Sequence, residues 1–160
     1  MKPELKTVPM EELSPLIVGL IEQNIDVTLT VTGNSMRPML THRKDSVVLT
    51  KCDPTALKKG DIPLYKRDNG QYVLHRIIKV NDSTYDIIGD HQTEIEYGVP
   101  KENVLCVVKA FTRNGKYHSC GDLSFRIYSV LWRWIIPLRG FMMAVHRLPS
   151  RLFKRKNKAK

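Results

Sequence analysis

Cysteine is scarce in this chain of 160 residues, and its scarcity excludes two kinds of small protein. Cys52, Cys106 and Cys120 are too few and too scattered for a disulfide framework or for a zinc site with paired ligand spacing. We therefore expect reduced thiols, no metal and no cofactor. With 42% apolar residues and 8% aromatic residues, the chain can still build one hydrophobic core.

The N-terminus lacks the pattern of a secretory signal. Residues 1–15 carry acids where a signal peptide has basic residues, and the apolar run LIVGLI that follows is short and ends at Glu22. The sequence therefore predicts no export. We expect a cytoplasmic protein.

Acidic residues are absent from the last 38 residues. The chain has 26 Lys and Arg against 16 Asp and Glu, a net charge of +10. Residues 123–160 hold ten of the basic side chains and no acid, which leaves 16 of each sign in residues 1–122. A neutral domain therefore carries a basic C-terminal segment.

No apolar run in this basic segment is both long and uncharged enough to cross a membrane. Residues 127–145 approach the necessary length, but they contain Arg133 and Arg139. An arginine near the centre of a spanning helix costs about 2.5 to 3.5 kcal/mol. We therefore expect residues 122–160 to form two short amphipathic helices that break near Pro137.

Between the two ends of the chain, short β-branched runs alternate with turn residues over residues 26–121, which predicts a β-rich domain. The runs are VTLTV, SVVLT, DIPLY, YVLHRIIKV, TYDIIG and ENVLCVV. Pro63 within DIPLY suggests an edge strand. Residues 1–25 form a helical lead-in, in which Ser14-Pro15 predicts the start of a helix over about residues 14–24. The expected fold class is mainly β, with a short N-terminal helix and C-terminal amphipathic helices.

Two compatible interpretations of the C-terminal helices stay open. In the first, the arginines face water while four apolar residues cover the β domain, namely Leu131, Trp134, Ile135 and Leu138. In the second, the tail RLFKRKNKAK contacts an anionic membrane surface while three aromatic residues lie at headgroup depth, namely Trp132, Trp134 and Phe141. We expect no nucleic-acid partner, since the tail lacks interleaved aromatic residues and nothing upstream forms a helix-turn-helix.

Two turns predict a pairing register in the β region. The Asp-Asn-Gly sequence at residues 68–70 is a strong hairpin signal before YVLHRIIKV. If the turn after that run leaves Val80 opposite Tyr85, His75 falls opposite Asp90. Directly opposed residues have Cβ atoms about 4.5 to 5.5 Å apart, so the imidazole would reach the carboxylate. A slip of one residue would place the two side chains on opposite faces.

Ser35, His75 and Asp90 carry complementary chemistry. A serine hydroxyl is a weak nucleophile and needs a base within hydrogen-bond reach. An imidazole with a pKa of about 6.5 can be that base, and a carboxylate behind it fixes its tautomer. Ser35 follows a β run in a Gly-Asn turn, which exposes its hydroxyl at the end of a strand. The alternative is a turn serine and a structural histidine.

Five short motifs occur in order over about residues 26–111. They are GNSMRPML around Ser35, KKGDIPLY, YVLHRII, IIGD and ENVLCVVKAF. With these motifs the chain resembles the peptidase superfamily that joins signal peptidase I to the LexA-type self-cleaving repressors. The resemblance implies a complex β fold of the signal-peptidase and LexA type, in which Ser35 is the acylated nucleophile.

The resemblance also implies the remaining catalytic residues. Bacterial signal peptidase I usually has a lysine base where this chain has His75, followed by Arg76. The histidine is similar to that of the archaeal and endoplasmic-reticulum branch, which also uses an aspartate in a Gly-Asp box. Asp90 matches that aspartate.

The residues around Ser35 depart from the signal peptidases in one respect. Those enzymes commonly have a serine two residues before the nucleophile that helps to hold the oxyanion, and Gly33 stands there in this chain. The Ser35 backbone N–H is one expected oxyanion donor, and Thr32 is a candidate for the second. The substrate groove is expected to include the neighbouring residues Asn34, Met36 and Pro38.

The leading hypothesis is a serine endopeptidase that cleaves an extended peptide or a leader, with the substrate added as a β-strand. The resemblance implies small side chains beside the scissile bond. One alternative is a non-catalytic peptide-binding or membrane-associated module of the same fold. Another is a LexA-type self-cleaving regulator. Only about 25 residues precede the β region, which is too few for a DNA-binding domain and leaves little room for a cleavable arm. The expected location is the cytoplasm or, peripherally, the inner face of a membrane.

Overall fold

The computed structural model describes residues 8–139, and its regular structure is mainly antiparallel β-sheet, with 34% strand against 24% helix. Two α-helices, one 3-10 helix and nine strands follow one another along the described residues. They are α1 (Met10–Glu22), β1 (Val27–Thr30), β2 (Ser46–Thr50), β3 (Pro63–Lys66), β4 (Tyr72–Leu74), β5 (Arg76–Val80), β6 (Thr84–Ile88), β7 (Glu96–Pro100), the 3-10 helix Lys101–Asn103, β8 (Val104–Arg113), β9 (Lys116–Ser119) and α2 (Leu123–Trp134).

The strands form two sheets. The larger, curled sheet has the order β1-β2-β8-β3-β4, with β9 also paired to β8, and the smaller sheet has the order β5-β6-β7. The run YVLHRIIKV was expected to be one strand, but it divides at His75 into β4 of the larger sheet and β5 of the smaller sheet. His75 therefore lies at the junction of the two sheets.

The first hairpin is confirmed by the structure. Lys66 of β3 pairs with Tyr72 of β4, and the Gly70 N–H donates to the Arg67 carbonyl at 2.9 Å across the turn. Gly70 has a φ of +86°, a backbone conformation that glycine adopts without steric cost.

The second hairpin follows the predicted register only near its turn. Val80 lies opposite Tyr85 as expected, but a β-bulge at Ile78 shifts the register, and Arg76 lies opposite Ile88. A bulge places one extra residue on one strand. Beyond the bulge, each residue therefore pairs one position away from its expected partner. The expectation that His75 would face Asp90 was therefore wrong.

Two further expectations from proline positions were also wrong. α1 begins at Met10 rather than near residue 14, so Pro15 lies inside the helix. The Ser14 hydroxyl is buried and hydrogen-bonds to the Glu11 carbonyl, which the missing N–H of Pro15 leaves without its helical donor. Pro63 lies on β3 between β8 and β4 rather than on an edge strand; it is tolerated because it is the first residue of that strand and β4 pairs only from Leu64 onward.

A buried ion pair, Arg76 with Asp90, joins the smaller sheet to the rest of the molecule. The Arg76 side chain is 0% exposed, and its Nε and Nη2 atoms donate to the two Asp90 carboxylate oxygens at 2.8 and 2.7 Å. Its Nη1 donates to the Gly60 carbonyl at 3.0 Å and to the Ser129 hydroxyl at 2.6 Å. The guanidinium also lies over the ring of Phe125. One side chain thus holds β5, the loop before β3, the Gly-Asp motif and α2 together.

α2 packs on the β-sheets through a face that the sequence pattern did not indicate. The inward side chains include Phe125 and Ser129, and the Trp132 indole donates to the Asp90 carbonyl at 2.9 Å. In the first of the two interpretations Leu131 and Trp134 would cover the β domain and the arginines would face water, but Leu131 and Trp134 are exposed and Arg139 is buried. This face of α2 packs inward because it supplies polar partners to Arg76 and Asp90, and not because of its apolar side chains alone.

The helix ends as expected, near Pro137: α2 stops at Trp134, and residues 136–139 form a separate helical turn. Phe141 and the basic tail lie outside the described residues. Over residues 8–139, no helix is both long enough and apolar enough to cross a membrane.

We predict that Asp90→Ala destabilises the protein by about 3 to 5 kcal/mol, because it leaves the buried Arg76 charge without its counter-ion. Urea unfolding followed by circular dichroism measures this loss. Asp26→Ala is the matched control, since it removes an aspartate whose partner, Lys109, is exposed to water. Equal unfolding midpoints for the two variants would show that the buried pair does not hold the fold together.

Candidate active site

Ser35 lies in the loop between β1 and β2, which is closed at its base by hydrogen bonds. The Val31 N–H donates to the Asp45 carbonyl at 2.9 Å, and the buried Asp45 carboxylate accepts the Thr41 N–H at 2.7 Å. Gly33 adopts a φ of +94° and donates its N–H to His42 Nδ1 at 2.8 Å. A fixed loop therefore presents Ser35, which is half-buried.

The Gly-Asp motif supports the Ser35 loop from the other side. The His91 N–H donates to the Ser35 carbonyl at 2.7 Å. A Cβ atom at Gly89 would lie only 2.8 Å from that carbonyl oxygen and 2.7 Å from Gln92 Oε1. Glycine at this position is therefore explained by the close approach of two backbone segments.

A cavity of about 240 Å³ brings Ser35 and His75 together. Three residues predicted from the sequence, Thr32, Gly33 and Met36, also line it. The remaining lining comes mainly from β4 and from two polar side chains, Arg67 and Gln92. The structure thus assembles the expected nucleophile and the expected base in one concave site.

The carboxylate beside His75 is Glu96 rather than Asp90. His75 Nδ1 lies 3.2 Å from Glu96 Oε1, and the Tyr65 hydroxyl lies 3.4 Å from the same nitrogen. Because a carboxylate accepts but does not donate hydrogen bonds, the contact favours the proton on Nδ1. Nε2 then keeps its lone pair and is able to accept a proton.

Arg67 holds Glu96 in place. The guanidinium donates to both carboxylate oxygens, with Nε 2.8 Å from Oε2 and Nη2 in contact with Oε1. Burial acts to raise the pKa of Glu96, but the hydrogen bonds from Arg67 and Tyr65 outweigh it and hold the pKa below its usual value. Glu96 is therefore ionised at neutral pH.

Burial lowers the pKa of His75, and the nearby Glu96 charge opposes that lowering. Only 2% of the His75 surface is exposed, so the charged imidazolium is poorly solvated. The net effect places the pKa below 6.5. The imidazole is therefore neutral, and able to act as a base, at neutral pH.

Asp90 has a different role from the one expected. Its carboxylate is occupied by Arg76 and by the Tyr128 hydroxyl at 3.3 Å, and Asp90 does not line the cavity of Ser35. Its charge acts to raise the pKa of His75, but its effect is smaller than those of burial, Glu96 and Arg67. The geometry makes Asp90 a buried structural counter-ion.

Both expected oxyanion donors, the Ser35 N–H and Thr32, belong to the loop between β1 and β2. In the part of the chain from 8 to 139, no hydrogen bond engages the Ser35 N–H, whereas the Gly33 N–H is already bonded to His42. The Ser35 amide is therefore available to a substrate oxygen. Thr32 is exposed and lines the cavity beside it, which keeps Thr32 as the candidate for a second donor.

Of the other residues expected in the substrate groove, one lines the cavity and two do not. Met36 lines the cavity but is 2% exposed and belongs to the hydrophobic core. Asn34 and Pro38 are exposed on the loop and do not line the cavity. Their positions follow from the turns after Gly33, in which Leu40 donates its N–H to the Met36 carbonyl.

No cysteine offers a competing nucleophile in the part of the chain that the structure describes. Burial raises the pKa of Cys106 and Cys120 to about 12 and that of Cys52 to about 11. A thiol with such a pKa stays protonated at neutral pH and is unreactive.

Sequence reasoning missed Glu96 and Arg67. Glu96 is one of 16 acidic residues and follows the irregular loop after Asp90, so no local pattern marks it. It reaches His75 because β7 pairs with β6, where Ile87 lies opposite Glu96. The registers of β5 with β6 and of β6 with β7 would both have been needed to find it.

Comparison with models of known protein families gives no match to this chain, and a search among curated proteins likewise gives no match.

Proposed function

We propose that the protein is a serine endopeptidase in which Ser35 is the nucleophile, His75 the general base and Glu96 the residue that orients the base. The observation that carries the proposal is the shared cavity of Ser35 and His75, with the Glu96 carboxylate beside Nδ1 of the imidazole. The order nucleophile, base and carboxylate is the arrangement that acyl transfer through serine requires. The motif resemblance to signal peptidase I and the LexA-type repressors points to the same reaction.

The proposed reaction has two acyl-transfer steps. Ser35 Oγ attacks the peptide carbonyl while its proton passes to His75 Nε2, and the Ser35 N–H stabilises the oxyanion. The imidazolium, which Glu96 stabilises, then donates that proton to the leaving amine. Water repeats the sequence on the acyl-enzyme and releases the carboxylic acid. Ser35 and His75 are not hydrogen-bonded to each other in the described part of the unliganded chain, and such contacts often tighten only when substrate binds.

The proposed substrate is an extended peptide. β1 and β4 lie at the two ends of the larger sheet, so a peptide strand is able to pair with an edge. A small apolar cavity of about 100 Å³ lies between them, lined by Leu29 and Val31 on one side and Leu74 on the other. Its size supports the small side chains expected near the scissile bond.

An open groove of about 550 Å³ continues from the catalytic cavity. It shares Arg67 and Gln92 with that cavity and is otherwise formed mostly by residues 91–96. A substrate that extends beyond the scissile bond would lie there.

We predict that a fluorophosphonate probe labels the protein on Ser35 and that Ser35→Ala abolishes the labelling. His75→Ala should reduce the labelling rate by about 10²-fold or more, because the hydroxyl loses its base. Gel fluorescence and mass spectrometry of the labelled peptide measure both effects.

Ser83→Ala is the control for that experiment, since Ser83 is an exposed serine in the turn between β5 and β6. Its labelling should match that of the wild type. Undiminished labelling of Ser35→Ala would rule out the proposed nucleophile, and undiminished labelling of His75→Ala would rule out the proposed base.

We predict that Glu96→Gln shifts the acid limb of the labelling-rate profile to lower pH. Burial lowers the pKa of His75 and the Glu96 charge raises it, so loss of that charge lowers the pKa further. Labelling requires the neutral imidazole, which then persists to lower pH. The plateau rate should fall about 10²- to 10⁴-fold, because the glutamine no longer selects the Nδ1–H tautomer.

Glu102→Gln is the matched control, because Glu102 is an exposed glutamate that lines neither the cavity nor the groove and is not among the charges that shift the pKa of His75. Its profile should overlay that of the wild type. A Glu96→Gln profile with an unmoved acid limb and an unchanged plateau would remove Glu96 from the catalytic group.

A further inference from the structure

The outward face of α2 is a continuous apolar stripe. Trp134 is 78% exposed and Leu131 is 58% exposed. With their neighbours they repeat at the spacing that keeps residues on one side of a helix. The stripe consists of Leu123, Ile127, Val130, Leu131 and Trp134.

The orientation of this stripe is fixed by the opposite face of the helix. Phe125 and Ser129 are buried, Ser129 accepts a hydrogen bond from Arg76, and Trp132 donates to the Asp90 carbonyl. Turning the stripe inward would break these buried polar contacts. The apolar side chains therefore face outward because the helix is anchored, not because it is loosely packed.

The basic residues beside the stripe indicate which kind of surface it contacts. Arg126 is exposed and Arg133 is half-buried, both on the same flank of the stripe. Residues 123–160 contain ten basic side chains and no acid. A second copy of this face, or the basic residues 140–160, would bring like charges together. A nucleic acid would match the charge but would not accept the apolar side chains.

An anionic lipid surface satisfies both properties. An interfacial helix buries its apolar face at the boundary between headgroups and acyl chains, while flanking basic residues contact acidic headgroups. α2 has 12 residues and is about 18 Å long, which is shorter than the hydrocarbon core, so it would lie in the plane of the membrane.

We propose that α2 docks the protein on an anionic membrane, with the stripe in the interface and Trp134 at headgroup depth. The consequence for the substrate rests on the proposed function: Trp132 donates to the Asp90 carbonyl, and Gln92, two residues further along the chain, lines the Ser35 cavity. Docking through α2 would place the peptide site beside the membrane, where it meets peptides presented at that surface.

Vesicle binding of the full chain tests the proposal. The protein should sediment with vesicles of phosphatidylcholine and phosphatidylglycerol, and less with phosphatidylcholine alone. The chain has two tryptophans, and Trp132 is already half-buried, so the blue shift of fluorescence on binding should come from Trp134. Trp134→Phe should lose the shift while still sedimenting.

A double variant, Leu131→Gln with Trp134→Gln, should bind the anionic vesicles at least about tenfold more weakly, because two apolar side chains no longer enter the interface. Leu16→Gln is the matched control, since Leu16 on α1 is 61% exposed and lies outside the stripe. Its binding should equal that of the wild type.

Three results would overturn the proposal: no sedimentation of the wild type with anionic vesicles, equal binding by the double variant, or self-association in the absence of lipid that the double variant abolishes. Ser35→Ala should bind vesicles as the wild type does, and the double variant should still react with the fluorophosphonate in solution. Vesicle binding without labelling would reject the peptidase alone, and labelling without vesicle binding would reject the membrane contact alone.

Discussion

The buried pair of Arg76 and Asp90 is the interaction on which the rest of the structure depends. Removing a guanidinium and a carboxylate from water costs several kcal/mol for each ion, and the cost is offset only when every remaining donor and acceptor finds a partner. Gly60 and Ser129 supply those partners. They belong to separate parts of the chain, so satisfying one ion pair fixes the relative positions of the loop before β3, the smaller sheet and α2.

The same pair decides which carboxylate lies beside His75. Asp90 is committed to Arg76, so it does not approach His75, and the imidazole takes its carboxylate from Glu96. Each carboxylate has its own arginine, because Arg67 holds Glu96. The buried charge of Asp90 is thus separate from the partly exposed charge of Glu96. Of the two carboxylates, only Glu96 lies beside His75, where it would stabilise the protonated imidazole.

Much of the fold follows from the sequence, and the parts that do not have physical causes. β-branched runs and the Asp-Asn-Gly turn gave the first hairpin correctly, because both signals are local. No local signal in the sequence marks the bulge at Ile78. The bulge nevertheless shifts the register, so Asp90 does not face His75. Ser35 and His75 line one cavity, as the sequence suggested, but the carboxylate beside His75 is Glu96 and not Asp90. The face of α2 that packs inward was also not predictable from local signals, because it depends on polar partners that are distant in the sequence.

Contacts from the C-terminal part of the described chain reach Ser35 through the segment of residues 89–92. Arg139 is buried, and its guanidinium donates to the carbonyls of Gly89 and Gln92, the segment whose His91 N–H holds Ser35. Arg139 is only 4% exposed, so little water reaches this side chain, and this burial lowers its pKa. Hydrogen bonds that are shielded from water resist displacement more strongly than exposed ones. The position of Ser35 therefore depends on residues more than a hundred positions away.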